Sequence, residues 1–184
     1  LHHLDSFSFG PQEMLMPRWV LFDCGEFPGI VLGFGKRAYE LPQIVRDAYN
    51  VGDDPERFVP LSMWVAIACG EPGAWFGHNL SSANLIARSY PGLATITKAV
   101  GVRLTKATRQ YGATQWSSSS IGVHMNLGEM QLLSAWTPAH THISTFSYLI
   151  EVDEARLVAC MTPAFVRPEP SIERSFDADD TASM

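Results

Sequence analysis

The chain has 184 residues, 46% of them hydrophobic and 17% charged, with 13 Lys+Arg against 19 Asp+Glu and a formal net charge of −6. This composition is too apolar for a disordered chain and lacks the basic excess typical of nucleic-acid-binding proteins. No run of about 18 apolar residues, the length that spans a membrane, is present. A chain of this length can bury about two-thirds of its unfolded surface, which favours one folded domain.

Short apolar runs alternate with turn signals in the first half of the chain. Residues 19–24 and 30–34 are apolar and end near glycine and proline, which predicts two strands. Apolar residues at helical spacing predict a short helix over 41–49. Residues 58–69 and 74–80 are rich in β-forming residues on either side of a Gly-Glu-Pro-Gly turn, and they predict two further strands.

The clearest helical pattern covers residues 91–107. Its apolar residues form one stripe of period 3.6: Leu93, Ile96, Val100, Leu104 and Ala107. The polar and basic residues fall on the opposite face: Lys98, Thr105, Lys106 and Arg109. Gly101 lies inside the pattern, where it costs roughly 1 kcal/mol relative to alanine. We therefore expect the apolar stripe to pack on the core. The basic face is either solvated or directed at an anion or carbonyl.

The apolar period falls to two after this helix. Residues 111–116, 120–127, 129–132 and 146–152 are each predicted as strands, with a tight turn at Leu127-Gly128 between the second and the third. That hairpin would turn His124, Asn126, Glu129 and Gln131 towards solvent. The predicted order is β-β-α-β-β-α-β-β-β-β. The expected fold class is α+β, with an antiparallel, β-rich, cone- or barrel-like sheet.

The carboxyl-terminal segment differs from the rest of the chain. Residues 167–184 hold five acidic residues against two basic ones and few large apolar side chains. Such a segment buries too little surface to offset the entropy of ordering. We expect a folded domain over 1–166 and a disordered acidic tail over 167–184.

The cysteines and the amino terminus bear on the cellular compartment. Cys24, Cys69 and Cys160 are far apart, odd in number and set in apolar runs, which indicates buried free thiols in a reducing environment. The chain opens without methionine and without a recognisable secretory signal. The expected location is cytoplasmic, with no membrane partner and no nucleic-acid partner, and a homo-oligomer is compatible with the sequence.

Charge is unevenly distributed along the chain. Between Pro72 and Ile150 a single acidic residue, Glu129, stands against five basic ones: Arg88, Lys98, Arg103, Lys106 and Arg109. An anionic partner is therefore better suited to the middle of the chain than the overall charge suggests.

Common nucleotide-binding, metalloprotease and serine-hydrolase motifs are absent from the sequence. His140-Thr141-His142 could supply two metal ligands, with His78 or His124 as a third. Two loop histidines explain the pattern as well, so we expect no metal and no cofactor.

Two groups of residues could carry chemistry. The stretch over 75–82 places Trp75, Phe76, His78 and Asn79 around a glycine, a mixture typical of ligand pockets and also of an aromatic core strand. Lys98 and Lys106 have cationic neighbours, which could lower the pKa of either amine and make it nucleophilic. Ordinary exposed helix lysines are the simpler interpretation.

The order of elements from Gly29 to Trp136, about 110 residues, resembles the acetoacetate decarboxylase superfamily. The family's enzymes carry a tandem lysine pair after an aromatic-proline step. Here Tyr90-Pro91 precedes the helix, and Lys98 and Lys106 stand eight residues apart. The resemblance implies an antiparallel β-cone and a lyase acting on a keto acid or related carbonyl compound through a Schiff-base lysine.

The resemblance also suggests a role for each candidate residue. Lys106 or Lys98 would attack the carbonyl, Arg109 would hold the carboxylate, and Glu71 would carry the proton. The remaining candidates would bind the small organic acid or exclude water: Trp75, Phe76, His78, Asn79 and Trp116.

Two alternatives from other classes remain open. One is a non-catalytic module that binds an apolar ligand through its aromatic residues. The other is an acyltransferase that uses the basic helix face for the phosphates of an acyl carrier. The nearest match to a Q/R-x-x-G-x-G/A loop, Arg109 to Thr114, lacks the final small residue and enters a strand instead of a helix.

Overall fold

The computed structural model describes residues 1–12, 15–25, 29–84, 90–136 and 145–162. Its helices are α1 (His2–Phe9), α2 (Arg18–Gly25), α3 (Gln43–Ala48), α4 (Leu93–Thr105), α5 (Ser120–Met125) and α6 (Glu154–Cys160), with 3₁₀ turns at Gly10–Gln12 and Ala38–Glu40. Its strands are β1 (Gly29–Leu32), β2 (Gly35–Arg37), β3 (Phe58–Pro60), β4 (Ser62–Ala68), β5 (Ala74–Ser82), β6 (Arg109–Gln115), β7 (Gly128–Ser134) and β8 (Thr145–Val152). The chain is an α+β structure.

Six strands form one open, mixed sheet in the order β1-β4-β5-β6-β8-β7, and β2 pairs with β3 in a separate two-stranded sheet. Within the large sheet β5 and β6 are parallel, and the other neighbouring pairs are antiparallel. A parallel pair needs a crossover connection, and α4 lies between β5 and β6 in the chain. Helix α4 therefore runs back along the sheet, with its amino terminus at the carboxyl end of β5.

The sheet separates two apolar clusters. Met63 and Val65 of β4 pack with residues from α1, α2 and α3. Trp64 and Ala66 alternate with them and pack on the opposite face with residues from α4, β8 and α6. Successive strand residues point to opposite faces, so β4 contributes to both clusters.

Helix α4 lies close to the sheet because its inward face carries small residues. A Cβ placed on Gly101 would overlap the indole ring of Trp64. Thr97 Oγ1 donates to Ser62 Oγ at 2.6 Å and fixes the first half of the helix against β4. Gly101 lowers the helix propensity of α4, but its missing side chain allows the helix to pack directly on the Trp64 ring.

The structure confirms most of the predicted elements. The strands expected at 30–34, 58–69, 74–80, 111–116 and 146–152 are present, with β3 and β4 dividing the second of these. The helices expected over 41–49 and 91–107 are present as α3 and α4.

Three structural predictions are wrong. Residues 19–24 lie in α2, because an apolar run of six residues does not distinguish a strand from a buried helix. The strand expected over 120–127 is helix α5, which begins where Ser118 Oγ accepts from the backbone N–H of Ser120. The cone- or barrel-like sheet is an open mixed sheet, since the expected hairpin at Leu127-Gly128 does not form and β7 pairs with β8 instead.

The predicted orientation of the central helix is also wrong. Leu104 of the expected apolar stripe is 60% exposed, whereas Lys98, Ala99 and Val102 are buried. Close packing of the small residues on Trp64 determines which face turns inward, and this contact outweighs the apolar stripe.

The three cysteines are free, with Cys24 and Cys160 buried and Cys69 partly exposed. The predicted acidic tail over 167–184 lies outside the described residues. None of the helices in the described part of the chain has both the length and the apolarity to cross a membrane.

We predict that Gly101→Ala destabilises the protein, although alanine is the better helix former. The added methyl group would meet the Trp64 ring, and overpacking of this kind costs about 1–3 kcal/mol. Urea unfolding measures the change. Leu104→Ala, on the exposed side of the same helix, is the control and should change stability by less than about 0.5 kcal/mol. A more stable Gly101→Ala variant would contradict the packing described here.

Candidate active site

Strands β5 and β6 separate after a short parallel contact. They pair over four residues on each strand, from Ala74 with Arg109 to Gly77 with Gly112. On its other side β5 pairs with β4 as far as Ser82, and β6 pairs with β8 as far as Gln115. The sheet is therefore split between residues 78–82 and residues 113–114, and within the described ranges no strand pairs across the gap between these two backbone edges.

The amino terminus of α4 lies at the end of the sheet where β5 ends and the split is open, because Thr97, near the start of the helix, bonds to Ser62, and Ser62 pairs with Ser82. Its N-cap is Gly92, at φ +78°, and among the described residues no side chain caps the helix. The first turn holds no acidic residue, and residues 72–128 contain no acidic side chain. Free N–H groups and the helix dipole make such a terminus favourable for an anion.

A β-bulge lies at the vertex of the split. Asn79 of β5 pairs with Val65 and Gly77 pairs with Ala66, which leaves His78 as an extra residue without a Cα partner in β4. Pairing with β6 ends at Gly77, so within the described strands His78 has no partner on either side. Bulges of this kind redirect side chains and are frequent beside active sites.

The bulge brings two adjacent side chains into contact. His78 Nδ1 lies 2.5 Å from Asn79 Oδ1, a contact that a regular strand prevents by turning neighbours to opposite faces. Asn79 Nδ2 in turn donates to Oδ1 of the buried Asp5 at 2.9 Å, and Asp5 Oδ2 accepts from the backbone N–H of Met16 at 2.8 Å.

This chain of hydrogen bonds sets the tautomer of His78. Asn79 uses its amide nitrogen on the Asp5 carboxylate, so the oxygen faces the imidazole. A carbonyl oxygen can only accept, so Nδ1 of His78 carries the proton. Nε2 is then left with a lone pair, on a side chain that is exposed. A histidine held in this way is suited to accept a proton.

A cleft of about 510 Å³ lies on the face of the sheet that includes Phe76 and Tyr111. Ala74 and Leu133 contribute apolar walls, and Ser147 a hydroxyl group. The ring of Phe76 meets the imidazole of His78 edge-on, with 6.3 Å between ring centroids. His78 does not line the cleft, but the cleft reaches the vertex of the split at Gly112, and Phe76 connects its wall to the imidazole.

Glu71 and Arg109 form an ion pair at this cleft. Arg109 Nη1 lies 2.7 Å from Glu71 Oε2, and Glu71 itself lines the cleft. The sequence analysis gives them separate roles, with Arg109 binding a carboxylate and Glu71 carrying a proton. Their mutual contact instead cancels most of the local charge.

Lys98 is buried on the opposite face of the sheet, with 1% of its surface exposed. Its Nζ lies 2.6 Å from His124 Nδ1 and 5.7 Å from the centroid of the Tyr148 ring. Burial lowers the pKa of Lys98 to about 7. Burial, and then the charge of Lys98, lower the pKa of His124 well below its usual value. Both His124 and Asn126, expected to face solvent, are buried.

The other predicted site residues are dispersed. Lys106 is exposed at the carboxyl end of α4, far along the helix from its open amino terminus. Trp75 packs in the cluster on the α4 face of the sheet, opposite to Phe76. Trp116 stacks on Phe146 and donates to the backbone oxygen of Ala135.

The basic face of α4 does not form an anion site. Arg103 pairs with Glu154 on the surface, Lys98 is buried, and Lys106 lies at the other end of the helix. Within the described ranges no three histidine, cysteine or carboxylate side chains are close enough to hold a metal ion. His140 and His142 lie outside those ranges.

Three contributors to the site were missed from the sequence. Asp5 is 74 residues from Asn79 along the chain, and no local pattern connects the two. Tyr111 was taken only as part of a strand. The third contributor is the amino terminus of α4, and the signal for it in the sequence is Gly92, directly before the predicted helical pattern.

No family model matches the sequence, and no curated protein matches it. Solved structures to which the chain is similar include nourseothricin acetyltransferase, at 13% identity and a TM-score of 0.41, covering 55% of this chain and 62% of that one. A CoA-dependent acyl-homoserine lactone synthase solved with SAM and isopentyl-CoA has 7% identity and a TM-score of 0.45, covering 55% and 57%. A GNAT-family acetyltransferase from Bacillus anthracis has 13% identity and a TM-score of 0.38, covering 55% and 61%.

The chain thus spans less than two-thirds of the length of these three proteins. Likeness at this level concerns the arrangement of strands and helices. The expected resemblance to the acetoacetate decarboxylase superfamily is wrong, because the six-stranded sheet is open and contains a parallel pair, whereas the resemblance implies an antiparallel cone. The expectation of a keto-acid lyase is wrong with it.

We predict that Lys98→Met stabilises the protein at pH 7 and flattens its pH dependence. The folded pKa of Lys98 is about 7, against 10.5 in the unfolded chain, so between these values the unfolded state binds the extra proton. The contribution of Lys98 to the free energy of unfolding should therefore rise as pH increases from 7 to 10.5. Lys98→Met removes this rise.

Urea unfolding at pH 7, 8, 9 and 10 measures the effect. Burial raises the pKa values of Cys24, Cys160 and Tyr148, and these groups lower the free energy of unfolding of both proteins in the upper part of this pH range. The contribution of Lys98 is therefore taken from the difference in slope between the wild type and Lys98→Met. Lys106→Met, at an exposed lysine, is the control and should keep the wild-type slope. An unchanged slope in Lys98→Met would show that the buried amine does not titrate as described.

Proposed function

We propose that this protein is an acyltransferase that moves an acyl group from a coenzyme A thioester to an amine. The observation that carries the proposal is the split between β5 and β6, with the bulged residue His78 at its vertex. A split sheet offers two backbone edges to an extended ligand, and His78 offers a base at the point where the edges meet.

The residues around the split fit the carrier. The pantetheine arm of coenzyme A is an extended chain with two amide groups, which can hydrogen-bond to a strand edge as an added strand does. Residues 78–82 of β5 provide such an edge. The diphosphate at the other end of the arm would lie at the amino terminus of α4, where no side chain among the described residues caps the first turn. The absence of acidic residues over 72–128 removes a source of repulsion.

His78 is proposed as the general base. Asn79 and Asp5 are positioning residues, since they hold the imidazole with the proton on Nδ1 and leave Nε2 free. The backbone N–H of the bulge, which has no partner strand, is suited to polarise the carbonyl oxygen of the acyl group.

The bound thioester supplies an activated carbonyl carbon. The amine nitrogen forms a C–N bond to that carbon while the C–S bond breaks. His78 Nε2 takes the proton that the amine loses and returns it to the sulfur, so the products are an amide and a free thiol. The reaction needs no other reactant.

We predict that His78→Ala lowers kcat for acetyl transfer by about 10²–10⁴-fold, the usual contribution of a general base. The affinity for acetyl-CoA should remain, because the backbone edge is intact. Amide formation is followed by mass spectrometry. His3→Ala, at an exposed histidine on α1, is the control and should retain full activity.

The role of Asp5 is tested separately. Asp5→Asn lets Asn79 rotate and offer an N–H to His78, which moves the imidazole proton to Nε2. We expect a lower kcat with an unchanged KM for acetyl-CoA, and a changed nitrogen-15 shift pattern for His78. Asp47→Asn, on the exposed side of α3, should change neither. A normal tautomer with lost activity would contradict the positioning role.

We predict that Gly92→Asp weakens coenzyme A binding about tenfold, because a carboxylate at the helix terminus repels the diphosphate. Gly52→Asp is a matched control: both glycines have positive φ, +78° and +68°, and neither Cβ would meet an atom within 4 Å. Calorimetry measures both. If millimolar coenzyme A fails to bind the wild-type protein, the proposed function is wrong. Binding without turnover of any amine would favour the non-catalytic ligand-binding module.

A further inference from the structure

We infer that the cleft beside His78 is the acceptor site and that it takes a small primary amine carried on an aromatic ring. The inference rests on the proposed function, because it identifies the second substrate of the same site. Three features of the cleft carry it: its position, its lining and its size.

Position links the cleft to the base. Phe76 lies in the cleft wall two residues before His78 on the same strand, and their rings are in edge-to-face contact. A molecule lying against the Phe76 ring can therefore direct a short arm at the imidazole. The carrier would enter from the other end, where α4 begins and residues 78–82 of β5 have no pairing with β6.

The lining selects against anionic acceptors. The aromatic rings of Phe76 and Tyr111 form the walls together with Ala74 and Leu133. Glu71 is the charged residue of the lining, and it is paired with Arg109. A carboxylate or phosphate on the acceptor would meet no unpaired cation among these residues. An aromatic ring would stack on the walls, and the aromatic faces would also stabilise an ammonium group. The ammonium group releases one proton to solvent, and the neutral amine then attacks the thioester.

Size limits the acceptor to a small molecule. A volume of about 510 Å³ falls in the range of pockets that hold drug-sized ligands. The amine therefore needs a body of one or two rings and a short linker. 2-Phenylethylamine and tryptamine have this form and serve as probes. Spermidine, phenylalanine and a short peptide with a free amino terminus serve as contrasting acceptors.

The test has a binding arm and a kinetic arm on the full chain. Calorimetry without coenzyme A should detect 2-phenylethylamine binding to the wild type. Phe76→Ala and Tyr111→Ala should each weaken that binding about tenfold and raise the KM of the amine equally, leaving the KM of acetyl-CoA unchanged. Phe58→Ala and Tyr39→Ala are matched controls at residues that are 58% and 60% exposed, and they should change neither constant.

Phe76→Leu and Tyr111→Phe are milder variants that stay informative if the alanine variants unfold. The first should weaken amine binding, and the second should leave it nearly unchanged because the ring remains. Preference for spermidine or the peptide over both aromatic amines overturns the acceptor assignment and leaves the acyltransferase intact. Equal effects of cleft and control variants overturn it too. Aromatic amine binding without coenzyme A binding supports the cleft and refutes the proposed function.

Discussion

The early separation of β5 and β6 is the constraint on which the rest of the site depends. Peptide N–H and C=O groups in the middle of a sheet normally pair with a neighbouring strand, and leaving them unpaired is costly. Here two parallel strands joined by a helical crossover stop pairing after four residues. The edges are retained because α4 supports one end and the pairs with β4 and β8 hold the outer sides. The strands are therefore rigid around an open split, as a preorganised binding site requires.

Two glycines mark the last pair before the split. A Cβ on Gly77 would lie 2.7 Å from Gln110 Nε2, and one on Gly112 would overlap the hydroxyl of Tyr148. The large side chains beneath the vertex thus take the space that side chains would occupy at these two positions. Gln110 is fully buried, and within the described residues neither polar atom of its amide has a hydrogen-bond partner. With Lys98 and His124 close to Tyr148, this side of the sheet is more polar than stability alone favours.

The sequence predicts where the helices and strands lie better than it predicts which face of each is buried. Apolar runs and turn residues located β4, β5, β6 and β8, because the burial of each run is a local property. The prediction of a hairpin at Leu127-Gly128 was wrong because the eight alternating residues over 120–127 are equally compatible with a short helix. The prediction of the inward face of α4 was wrong because the contact between Gly101 and Trp64 joins elements that are distant in the chain. Tertiary packing, which the apolar period does not encode, determined both outcomes.

The same distinction explains the candidate site. The mixture of aromatic, imidazole and amide groups over 75–82 is typical of a ligand pocket and also of an aromatic core strand, and the structure brings Phe76, His78 and Asn79 together. Their cooperation depends on a bulge, which adds one residue to β5 and leaves no mark in the residue pattern. It also depends on Asp5 of helix α1, which accepts a hydrogen bond from the amide of Asn79 and orients it. The residue types therefore indicate where chemistry can occur. Which nitrogen of His78 can accept a proton depends on the register of β4 with β5 and on the distant carboxylate of Asp5.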